Sequence, residues 1–106
     1  MGKLLKSAFS RVAKNLSVLR CWMLLRPRVT GRIKLRGDTR RILVDRSFRC
    51  DGDLWLGIHS DDGSIIIEPG VSASGPLIVT AIRSLRIGAG TLFGPNVLVT
   101  DHYHGD

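Results

Sequence analysis

Cysteine is nearly missing. Cys21 and Cys50 are the only two in 106 residues, and their separation matches no thiolate zinc or redox pattern. With no clear signal peptide ahead of them, a reducing cytoplasm is the expected compartment. Aromatic residues are scarce at 6%, which leaves no stacking platform and no recognition motif for nucleic acid, so that partner is not expected. Long apolar runs are missing too: the stretch from Cys21 to Leu25 is too short to span a bilayer and is bounded by Arg20, Arg26 and Arg28. Acids are almost absent from the front of the chain. Residues 1–41 hold twelve Lys and Arg against Asp38 alone, whereas residues 42–106 hold four against eight acids. The basic front suits membrane phosphate or an acidic partner; the remainder has no electrostatic reason to meet a polyanion.

What is present fits one small folded domain, because 43% hydrophobic and 24% charged residues exclude a disordered chain and the length excludes a large two-domain enzyme. From Lys3 to Leu25 the residues Leu4, Leu5, Ala8, Phe9, Val12, Ala13, Leu16 and Leu19 recur at helical spacing, with Lys6, Arg11 and Lys14 largely on other faces. The spacing predicts a basic amphipathic helix within residues 1–28, broken at Arg26-Pro27, since proline lacks a donor and disfavours helix before it. Packing on its own domain or on a neighbouring subunit is one use of such a helix. Peripheral contact with the inner membrane surface, through its cations and Trp22, is the other.

Beyond Gly31 the period changes to six, and residues 29–106 read as coils. Short β-like triplets fall at 42–44, 48–50 and 54–56, then 65–67, 71–73 and 77–79, then 85–87, 91–93 and 97–99. Three triplets make a coil. Strand side chains alternate, so the inward columns can be written down: Val44, Ile67 and Ile87; Leu56, Val79 and Val99; and Cys50 and Ala73 leaving room for Phe93. Such complementarity is what close packing requires. Turns at Glu68-Pro69-Gly70, Gly88-Ala89-Gly90 and Gly94-Pro95-Asn96 accept tight or positive-φ conformations. Only one corner carries longer loops, after residues 56, 79 and 99, and a loop-bearing corner of a rigid solenoid is where a site is usually built. Outward-facing Ile66, Ile78, Leu92 and Leu98 form apolar rows of the kind that mark an interface.

The segment IRSLRIGAGTLFGPNVLVTDHYHGD, residues 82–106, resembles the hexapeptide-repeat acyltransferases, most of all the O-acetyltransferases of galactosides, maltose and surface polysaccharides such as colanic acid. The resemblance implies a left-handed parallel β-helix preceded by an amphipathic α-helix. It also implies a homotrimer, acetyl-CoA as co-substrate in the clefts between subunits, and a sugar or polysaccharide precursor as acceptor. The position matching the family's general base is His104. Asp101 or His102 is the candidate to hold His104 in its working tautomer, and Asn96, Arg83 and Tyr103 are the candidates to touch the acceptor. A polar turn, or a zinc site built from two histidines and a carboxylate, are the alternatives for the DHYH segment; with catalysis as the reading, no metal is expected. His59, beside Asp61 and Asp62, reads as a solvated loop residue, with substrate contact across a subunit boundary as its alternative. Cys50 reads as a small core residue with no base beside it. Where the family often carries Asn, this chain has Ser74-Gly75-Pro76, and family members continue past the histidine with further coils that supply most coenzyme A contacts. A truncated β-helix that is a remnant or scaffold, binding acetyl-CoA poorly, is therefore the competing expectation.

Overall fold

The computed structural model describes residues 16–102, and they form a left-handed parallel β-helix entered through a helix. Ten short strands follow the helix: β1 (Ile33–Arg36), β2 (Ile42–Val44), β3 (Arg49–Cys50), β4 (Leu54–Ile58), β5 (Ser64–Ile67), β6 (Ser72–Ala73), β7 (Leu77–Ala81), β8 (Ser84–Ile87), β9 (Leu92–Phe93) and β10 (Val97–Thr100). They assemble into three parallel sheets, ordered β1-β4-β7-β10, β2-β5-β8 and β3-β6-β9. Each sheet collects one strand per coil, so every strand hydrogen-bonds to the strand one turn away along the axis.

The register reproduces the inward columns expected from alternation. Val44 pairs with Ile67 and Ile67 with Ile87, Leu56 with Val79 and Val79 with Val99, and Cys50 with Ala73 and Ala73 with Phe93. Leu54, Leu56, Ile65, Leu77 and Val79 are essentially inaccessible to solvent, and burying each such side chain contributes about 1.5–3 kcal/mol. Gly70 and Gly90 occupy equivalent turns at φ +78° and +75°, a region that side chains disfavour. A Cβ on Gly70 would also sit 3.5 Å from the Gly90 nitrogen. That approach is an ordinary contact, and a Cβ on Gly90 would meet nothing within 4 Å, so the positive φ rather than lack of space selects glycine in these stacked turns.

The β-structure begins one coil earlier than the triplet pattern indicates. β1 pairs with β4, and Val29 forms a parallel bridge with Cys50. This partial coil shows only one alternating stretch, Ile33-Lys34-Leu35-Arg36, because helix stands where its remaining strand would be. Residues 16–25 are helical and lead into a tight helical turn at Arg26–Arg28, the break set by Pro27. Leu25 is fully buried, Cys21 packs against the core, and the Thr39 hydroxyl donates to Ser17 Oγ at 2.9 Å. The Arg26 guanidinium donates to the carbonyls of Val29 and Gly31, at 2.5 and 2.9 Å, and fixes the entry into the first coil. On the outside of the solenoid, Leu92 and Leu98 are 76% and 61% exposed, while Ile66 and Ile78 are half-buried. Among the described residues no helix is long and apolar enough to cross a membrane.

Candidate functional site

The corner after β1, β4, β7 and β10 carries the chain's loops, as the uneven repeat predicts. Just before it, one row of the ladder runs Arg36, Gly57, Thr80, Thr100 on the sheet's outer face. Gly57 has no side chain to fill that row, and the ring of His59 folds back over it: a Cβ on Gly57 would lie 3.3 Å from His59 Nε2 and 3.4 Å from Trp55 Nε1. Two coils away, His102 folds back in the same sense, its Nδ1 3.0 Å from Thr100 Oγ1. The two imidazoles meet edge to face, with centroids 6.1 Å apart and planes at 68°. Thr80, in register between Gly57 and Thr100, is only 9% exposed although it lies on the outer face.

Asp101 organises this corner. Its two carboxylate oxygens accept from the backbone N–H groups of Ile82 and Arg83, both at 2.8 Å, and one of them lies 3.2 Å from His102 Nδ1. Burial works to raise the Asp101 carboxyl, but the Ile82 N–H, the His102 ring and the Arg83 N–H together outweigh it, and the group is held below the ordinary carboxylate range. A proton on His102 Nδ1, shared with Asp101 or Thr100, leaves the lone pair on Nε2, which is the tautomer a general base requires. His59 continues the site on its other side, bordering a cleft of about 670 Å³ whose walls include Arg36, Asp38, Ser60 and Asp61. The Ser60 hydroxyl donates to the Ile82 carbonyl and ties this loop to the next.

The residues singled out from the sequence fall into three groups. Asp101 and His102 are brought together, and the Arg83 main chain joins them through its N–H. Asn96 sits elsewhere: it opens β10 at φ +59° in an exposed turn, whereas Asp101 follows the end of that strand, a separation of roughly 16 Å along the chain. Its conformation is one that asparagine tolerates better than most residues, which gives it a turn-forming role. Tyr103 and His104 lie outside the described residues. His59 and Trp55 join the corner although the sequence pattern left the first in a loop and did not single out the second. The signal that identifies them is the ladder row itself, in which a glycine stands level with two threonines.

Cys50 belongs to the core. It is 1% exposed, and burial, reinforced by the carboxylates of Asp51 and Asp53, pushes its thiol up to about 11. No group of three or more potential metal ligands occurs among the described residues. Comparison with protein-family models, with curated proteins and with solved structures finds no match.

Proposed function

We propose that this protein is an O-acyltransferase that moves an acetyl group from acetyl-CoA to a hydroxyl of a sugar or polysaccharide precursor. The observation that carries the reading is the corner itself, where a carboxylate meets an imidazole at Nδ1 and that ring packs on a second imidazole, His59, which borders an open polar cleft. In the reaction a histidine takes the proton of the acceptor hydroxyl as that oxygen attacks the thioester carbonyl. The carbon–sulfur bond then breaks and the proton passes to the departing thiolate, so no acyl-enzyme forms. The resemblance of the DHYH segment assigns the base to His104. His102, with its tautomer governed by Asp101 and Thr100, supports that residue or substitutes for it.

The mode of assembly follows from the same resemblance. A homotrimer would cover the outward rows that hold Leu92 and Leu98 and would leave clefts for acetyl-CoA, with Arg83 and Tyr103 near the acceptor.

A scaffold without catalysis is the second reading, and one observation favours it. Asp101 uses both oxygens on main-chain N–H groups, which explains the start of the DHYH segment as a staple between coils. Release of free thiol from acetyl-CoA in the presence of a sugar panel separates the two. Turnover that falls about a hundredfold or more in His104→Ala or His102→Ala assigns the base to that residue. Absence of turnover with every sugar, from protein shown to be folded, leaves the scaffold reading in its place.

A further inference from the structure

The helix at the front of the solenoid has two apolar sides, and among the described residues only one of them packs on the fold. Leu25 is buried, Cys21 packs on the core and Ser17 bonds Thr39. On the remaining surface Leu16 is 61% exposed, Leu19 55%, Trp22 40% and Met23 61%, and Val18 is also exposed. Leu43, on the outer face of β2, is 61% exposed; it lines, with Leu16 and Met23, a groove of about 800 Å³ that carries the apolar surface from the helix onto the sheet. A contiguous apolar surface of this kind on a small domain marks an interaction site.

Charge decides what covers it. The ten ionised side chains from Lys3 to Arg36 are all Lys or Arg, and residues 1–37 contain no Asp or Glu. A second copy of the chain docking face to face would bring like charge against like. Nucleic acid would neutralise the cations and leave the leucines and Met23 in water. An anionic bilayer surface satisfies both, taking apolar side chains to the depth of the acyl boundary and placing cations among phosphates. Trp22 suits that boundary, with an apolar body and a polar N–H, and the Arg26 guanidinium lies 5.9 Å from its ring centroid.

We propose that the exposed helix face formed by Leu16, Leu19, Trp22 and Met23 docks the protein on anionic phospholipid membranes. The binding is peripheral and does not depend on acyl transfer.

Flotation of the full chain with vesicles tests this. The expected result is binding to vesicles containing phosphatidylglycerol, weak binding to phosphatidylcholine alone, and weakening by salt as surface charge is screened. The Trp22→Glu/Met23→Glu variant changes only exposed positions and should keep its circular dichroism while losing about tenfold or more in partitioning. If that variant does not fold, Leu16→Gln/Leu19→Gln carries the same expectation. Equal binding to both vesicle types, or unchanged partitioning of a folded variant, overturns the proposal. So does loss of self-association without any vesicle binding, which would assign the face to a second copy of the chain.

Discussion

Cys50 and Asp101 show how far single residues are committed by their surroundings. With its thiol pushed up to about 11 by burial and two neighbouring carboxylates, Cys50 is roughly one part in a thousand thiolate at pH 8, and thiolate is the reactive form. A thiol reagent at pH 8 should therefore label Cys50 only as fast as the protein unfolds; rapid labelling of the native protein would contradict its place in the core. Asp101 is committed through its charge. Replacing it with Asn leaves an acceptor for one of the two backbone N–H groups, and denaturant unfolding should show a loss of about 1–3 kcal/mol. The pH dependence follows from the direction of the shift. The folded carboxyl lies below its ordinary range, so the unfolded chain takes up this proton first as pH falls. The stability Asp101 contributes is therefore complete above its unfolded value, near pH 4, and is lost as pH drops through the depressed folded value. Between about pH 5 and 3 the wild-type protein should lose stability more steeply than Asp101→Asn; parallel curves would show that Asp101 does not contribute this way.

Helix and solenoid meet at Leu25, and the two sides of the helix should respond differently to truncation. Leu25→Ala opens a cavity at a fully buried site and should destabilise by about 2–5 kcal/mol. Leu19→Ala removes a side chain that is 55% exposed and should change stability by no more than about 0.5 kcal/mol. Equal costs would mean that the helix is seated another way. The element scale also separates what the sequence makes legible from what it hides. The columns through Val44, Leu56 and Cys50 are readable because each recurs in successive coils and alternation leaves one choice of inward face. β1 is hidden because a coil completed by a helix offers one triplet where the repeat needs three. The corner is visible as the place where the repeat lengthens, and Asp101 and His102 fall there. His59 is not, because its ring meets His102 across 43 positions of sequence and an intervening coil. That contact exists only once the register has placed Gly57, Thr80 and Thr100 in one row. Asn96, counted toward the same site in the linear sequence, is carried away from it by the length of β10.

Across the whole molecule each coil touches only its neighbours, so stability behaves as a sum of coil and interface contributions and need not be uniform along the axis. The middle coils have a partner on each side: β4 lies between β1 and β7, and β7 between β4 and β10. Their inward residues Leu54, Leu56, Leu77 and Val79 are 0–1% exposed, whereas Val97 and Val99 of β10 and Phe93 of β9 are only partly buried. Hydrogen exchange should follow that gradient, with amides of β4, β5 and β7 the slowest and those of β9 and β10 released by local opening that leaves the middle intact. Point changes should propagate accordingly. Val99→Ala should speed exchange in β10 and leave β4 nearly unchanged, because the opening it favours is confined to the last described coil. Val79→Ala weakens two interfaces at once, toward Leu56 and toward Val99, and should speed exchange in β4, β7 and β10 together. A single exchange rate along the whole axis, changed equally by both substitutions, would show instead that the solenoid opens only as one cooperative unit.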